Sequence, residues 1–146
     1  HPEMNAFDVT GKAVDLINST PFSLMVINLA NCDMVGHTGN YEAAMKAVEV
    51  VDKCVGTLVE AILSKNMIAL ITADHGNAEE MIDYKTRLPK TSHTKNPVEF
   101  IYVADDYKNI KLADSGVLSD IAPTILYLLG IPKPAEMTSK NLIITQ

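Results

Sequence analysis

Apolar positions along the chain fall into alternating helix-like and strand-like runs. Over residues 3–17, Ala6, Val9, Ala13, Val14 and Ile17 recur at roughly helical spacing, and Thr20 and Pro21 end the pattern. Residues 22–28 form a short, mostly apolar run that suits a strand buried on both faces of a parallel sheet. Residues 31–40, with Gly36 and Gly39, read as a loop. Residues 41–64 predict a long helix. Ala44, Ala47, Val48, Val51, Val55, Leu58, Val59 and Ile62 form its apolar stripe, and Glu42, Lys46, Glu49, Asp52, Lys53 and Glu60 its polar side. Residues 67–72 predict a second buried strand and 98–103 a third, separated by a polar, exposed excursion over 83–96 whose lysines are expected to be solvated. Residues 119–129 predict a short helix, with Pro123 in its first turn and Gly130 and Pro132 closing it. Strands alternating with helices imply right-handed crossovers and a layered α/β fold.

Composition narrows the options. A length of 146 residues suits one domain, and 47% hydrophobic residues supply a core. The net charge of −6 argues against nucleic acid or an anionic membrane as partner. No apolar run is long enough to cross a bilayer, and no secretory leader is visible. Phosphate clamps favour the bidentate guanidinium of arginine, yet Arg87 is the single arginine. A phosphorylated substrate would therefore need positive charge from bound cations or from other protein. Cys32 and Cys54 form no CxxC pattern and are expected to be free thiols in a reducing cytosol. The chain opens on His1, not methionine, which reads as a fragment boundary.

Candidate chemistry collects at the strand ends, where ligands bind in open parallel sheets. The first strand-like run leads to Asp33 and His37, and the second runs into Asp74 and His75; His93 lies just before the third. Three of the four histidines fall in these loops. Carboxylates and neutral imidazoles are ligands for manganese, zinc and related divalent ions. Adjacent Asp74 and His75 can reach one centre only if the backbone turns sharply, which Gly76 would permit. Two ions about 3.5–4 Å apart can grip both oxygens of a phosphoryl transfer. Singly, each residue has a plainer reading, as a solvated loop histidine or a turn aspartate. Their clustering at predicted strand ends favours a metal site, and pattern alone leads no further.

The strings NCDMVGHTGNYEAAMKAVEVVD, ITADHGNAEEM and SHTKNPVEFIYV resemble those of cofactor-independent phosphoglycerate mutases, as do the opening PEMNAFDVT and the closing SDIAPTILYLLGIPKPAEMT. The resemblance covers nearly the whole chain in order. It implies a three-layer α/β/α, alkaline phosphatase-like fold with a mostly parallel sheet, of which residues 1–146 are the C-terminal portion. The N-terminal segment and an arginine-rich substrate-clamping domain would lie outside the chain. The implied activity of the intact enzyme is interconversion of 3-phosphoglycerate and 2-phosphoglycerate, by metal-assisted phosphoryl transfer through a phosphoserine. The implied cofactors are two divalent ions, manganese first, with zinc, cobalt or magnesium as substitutes. One ion would be held by Asp33, His37 and His93, and the other by Asp74 and His75 with ligands from the missing segment. No serine of this chain sits in the nucleophile context, so no catalytic residue is assigned, and the chain alone is expected to be inactive. The intact enzyme is expected to be cytoplasmic and monomeric, with phosphoglycerate as its partner and neither nucleic acid nor membrane. The rival readings are another phosphomutase or phosphatase of the same superfamily, and a non-catalytic metal-binding module.

Overall fold

A computed structural model describes residues 1–144. The chain divides into two compact units, residues 1–104 and residues 105–146.

The first unit is built on α3 (Tyr41–Leu63). Asn40 caps it, its side chain accepting the Ala43 N–H at 3.0 Å and satisfying one of the helix's orphan donors. Its buried line is Ala44, Ala47, Val50, Cys54 and Leu58, spaced by three and four residues. Val48, expected within the apolar stripe, is 49% exposed, because the contact face centres on this narrower line. Helix α1 (Ala6–Ser19) packs along α3 through two clusters, Ala6 with Val50 and Cys54, and Ala13 and Ile17 with Leu58. Each large apolar side chain buried here contributes about 1.5–3 kcal/mol.

The expected loop at 31–40 contains a short helix, α2 (Asn31–Gly36), whose Val35 packs on Ala44, Ala47 and Met81. Buried Asn31 ties this helix back to the chain start, donating to the carbonyls of Pro2 and Glu3 at 2.8 and 2.9 Å.

Strands β1 (Ala69–Thr72) and β2 (Phe100–Val103) confirm two of the three expected strands, but they pair antiparallel, with Ala69 opposite Val103 and Thr72 opposite Phe100. The third expected strand, at 22–28, is not a strand. It has no ladder partner among the described residues. Phe22, Met25 and Ile27 pack onto the Ala13–Ile17–Leu58 cluster, whereas Leu24 and Val26 face solvent, 53% and 82% exposed. The run is therefore not buried on both faces as expected, and apolar character cannot supply the neighbouring backbone that a sheet requires. Among the described residues the mostly parallel sheet is therefore not formed; both two-stranded sheets are antiparallel.

In the second unit, β3 (Lys111–Leu112) pairs antiparallel with β4 (Ile143–Ile144), and a 3₁₀ turn at Leu118–Asp120 leads into α4 (Ile121–Leu128). Buried Asp120 organises it by accepting the backbone N–H groups of Val117 and Lys140 at 2.9 and 3.0 Å. Thr124, fully buried, donates to the Asp120 carbonyl and accepts the Leu142 N–H. Pro123 lies in the first turn of α4, and Gly130, with φ +66°, follows its end, as the sequence predicts.

Candidate metal centre

Helix α2 presents Asp33, and His37 at its C-cap lies four residues on, so both fall on one face. His37 Nε2 lies 3.2 Å from Asp33 Oδ1. The end of β1 delivers Asp74 and His75. The 83–96 excursion returns through two bridges, Ile82 with Pro89 and Gly76 with Thr94. That return sets His93 Nε2 3.1 Å from both Asp33 Oδ1 and His37 Nε2. The His75 ring stacks on His93 at 3.7 Å between centroids, and its Nε2 lies 3.9 Å from Asp33 Oδ1. Asp33, His37, His75 and His93 are therefore brought together. Asp74 stands at the rim: its side chain is 88% exposed, and its Oδ1 is 3.6 Å from His75 Nε2. His1 lies elsewhere, beside Glu3.

The excursion is more than a solvated loop. Lys90, expected to be solvated, pairs with Glu80 at 2.9 Å. The carbonyl oxygen of Thr91 lies 2.6 Å from His37 Nδ1. A carbonyl can only accept, so Nδ1 carries the hydrogen and the lone pair of the neutral ring sits on Nε2, facing Asp33. His75 Nδ1 makes a longer contact of the same kind, 3.4 Å to the Gly76 carbonyl.

Desolvation pushes the Asp33 carboxyl upward in pKa. The Asn77 amide and the three histidines outweigh it, and the carboxyl ends below its ordinary value. The anion is thus held ready at the centre of three imidazoles. Burial pushes the Cys32 thiol up from its ordinary value.

This donor set fits a divalent ion. Nitrogen ligands at about 2.0–2.1 Å in a tetrahedron lie about 3.4 Å apart. The separations of 3.1 and 3.2 Å among Asp33, His37 and His93 are close to that spacing. His75 belongs to the same cluster, since donor atoms of Asp33, His75 and His93 lie within 4.8 Å of one another.

The backbone bends at Asp74 and His75, and Gly76 follows that bend with a φ outside the positive region. The glycine is needed for close approach. A Cβ there would overlap Thr94 Oγ1 and come within 2.9 Å of Glu79 Cδ. Glu79 in turn accepts hydrogen bonds from Thr94 and Asn96, pinning the segment that carries His93. Sequence reading missed Asn77, Glu79 and Thr91. Asn77 adjoins the Asp74–Gly76 string and could have been noticed there; the Thr91 carbonyl leaves no side-chain signal.

The metalloenzyme superfamily matches residues 1–133. The chain is 57% identical over 143 residues to a 2,3-bisphosphoglycerate-independent phosphoglycerate mutase of Methanosarcina barkeri, covering 98% of this chain and 27% of that protein. It is 54% identical to the corresponding enzyme of Clostridium botulinum, covering 97% of this chain and 28% of the relative. A crystal structure of Leishmania mexicana phosphoglycerate mutase at low cobalt concentration superposes with a TM-score of 0.90 at 31% identity, covering all of this chain and 29% of that one. The chain thus spans less than a third of the length of these relatives.

Proposed function

This chain belongs to the metalloenzyme superfamily, and on that premise we propose that it is the C-terminal metal-binding part of a cofactor-independent phosphoglycerate mutase. The whole enzyme would interconvert 3-phosphoglycerate and 2-phosphoglycerate. The observation that carries this reading is the convergence of three imidazoles on the Asp33 carboxylate, in a chain that matches phosphoglycerate mutases over 97% of its length.

In this reading Asp33, His37 and His93 hold one ion, and Asp74 and His75 contribute to a second, completed from outside the chain. Their nitrogen and oxygen donors suit manganese, with zinc or cobalt as substitutes. Bound divalent ions supply positive charge to the transferring phosphoryl group, which the lone Arg87 does not. The protein's share is to hold donors in place. Thr91 fixes the His37 tautomer, the Glu79–Thr94 contact anchors the strap bearing His93, and the depressed Asp33 stays ionised. Serine attack and substrate clamping would be functions of protein beyond this chain. The same protein would complete a three-layer α/β/α domain by giving the 22–28 segment a strand partner. The exposed side chains of Leu24 and Val26, together with a backbone that has no ladder among the described residues, support that view.

A chimaera tests the proposal. Residues 1–146 replace the matching 28% of the Clostridium botulinum relative. We expect manganese-dependent conversion of 3-phosphoglycerate to 2-phosphoglycerate, abolished by Asp33→Ala, and no turnover by the chain alone. A folded chimaera that releases inorganic phosphate without isomerisation would identify a phosphatase instead. Turnover indifferent to Asp33→Ala would remove the reading altogether.

A further inference from the structure

We propose that Asn77 is a positioning residue for the metal ligand Asp33, an inference that rests on the metal-site reading above. Asn77 is 4% exposed and its single Nδ2 donates to two oxygens of one residue, Asp33 Oδ1 at 2.7 Å and the Asp33 carbonyl at 3.3 Å. One amide thereby ties the carboxylate to its own backbone and fixes the side chain's rotamer. The reverse amide orientation would aim Oδ1 at an anion, so the hydrogen-bond pattern assigns Nδ2 to this side.

The other end of the amide makes the role unusual. Asn77 Oδ1 is buried with no hydrogen-bond partner among the described residues. An orphaned buried acceptor costs stability, and one that is retained calls for a reason. It is lodged against Gly36, where a Cβ would overlap Oδ1 and lie 2.9 Å from Asn77 Cγ. Gly36 and Asp33 are three residues apart in α2 and share a helix face. The glycine makes room for the amide, and the amide orients the aspartate. Asp33 Oδ1 lies 3.2, 3.9 and 3.1 Å from the Nε2 atoms of His37, His75 and His93, so a shift of this carboxylate moves the one donor that all three rings share.

The test compares the full chain with Asn77→Leu, Asn77→Ala, Gly36→Ala and Asp33→Ala, each checked for folding by circular dichroism. Mn²⁺ affinity is measured by calorimetry and the coordination environment by the visible spectrum of bound Co²⁺. Loss of an outer-sphere partner of a ligand typically weakens metal binding about 10–100-fold. We expect that loss in both Asn77 variants, together with a changed Co²⁺ spectrum, which a merely structural role would leave alone. Gly36→Ala should show the same spectral change with Asn77 still present, and it carries the test if neither Asn77 variant folds. Folded variants that bind Mn²⁺ within about twofold of wild type, while Asp33→Ala loses it, would overturn the inference alone. Wild-type affinity in Asp33→Ala would overturn the metal-site reading and this inference with it.

Discussion

The Thr91 carbonyl oxygen lies 2.6 Å from His37 Nδ1, although the two residues are 54 positions apart in the chain. A backbone atom at the end of the excursion thus decides which nitrogen of a histidine beyond α2 is free to bind. The same strap brings His93 to 3.1 Å from Asp33 two residues later. Orientation and ligand delivery are one structural event.

Metal-linked stability follows from that arrangement. Anything that binds the folded chain alone stabilises it by mass action, by about 2.7 kcal/mol at one hundred times its dissociation constant. Mn²⁺ should raise the melting temperature of the wild-type chain, EDTA should reverse the gain, and His37→Ala should remove most of it. Differential scanning calorimetry with and without metal measures this. An unshifted wild-type transition at saturating Mn²⁺ would contradict it.

The ligands should not contribute equally. Asp33 touches all three histidines, whereas Asp74 contacts His75 alone and is largely solvent-exposed. Asp33→Ala is expected to weaken Mn²⁺ binding by far more than Asp74→Ala. Calorimetric titration of both variants decides, and equal losses would count against the ranking.

Gly76→Ala should damage the strap. Its Cβ would overlap Thr94 Oγ1, which the Glu79 carboxylate must reach. Overpacking of this kind costs about 1–3 kcal/mol. Urea denaturation should show that loss, and metal affinity should fall with it because His93 immediately precedes Thr94 in the chain. Gly56→Ala is the control, since a Cβ there meets nothing within 4 Å.

Packing predicts a sharp contrast between two apolar residues. Leu58 is buried in the α1–α3 seam, and Leu58→Ala should cost about 2–5 kcal/mol. Val26 points to solvent, and Val26→Lys should change stability by less than about 0.5 kcal/mol. A charge on this segment, which has no ladder partner among the described residues, should also reduce self-association, which analytical ultracentrifugation can follow.

Acid should unfold the chain by a definite route. Backbone N–H groups hold Asp83 low, from Thr86 and Lys85, and Asp120 low, from Val117 and Lys140. At Asp33 and Glu79 desolvation pushes the other way, but hydrogen bonds led by Asn77 and Thr94 prevail. All four carboxyls therefore titrate lower in the folded chain than in the unfolded one. The unfolded chain binds more protons in the carboxylate range, so this stability is present above that range and lost as pH falls through it. Denaturant midpoints measured from neutral pH downward should decline across that window, less steeply in Asp120→Asn. A midpoint flat to below pH 3 would refute the account.

Much of this molecule is legible in one dimension. The helical periods of α1, α3 and α4, the two paired strands and the five candidate ligands are written in residue type and spacing, which act over a few positions of chain. Asp33 and His37 share a face only because residues 31–36 are helical, which the sequence read as loop. What only tertiary structure decided lies at longer range. The 22–28 run reads as a strand, but a strand exists only where another backbone pairs with it. Gly76 reads as a turn, but its lack of a Cβ matters because Thr94 and Glu79 come from elsewhere to fill that space. The roles of Asn77, Thr91 and Glu79 were not readable from the sequence, because they are contacts across 44, 54 and 15 positions of chain. Local sequence encodes local geometry, whereas the partner of a hydrogen bond across the fold is known only when the chain has closed upon itself.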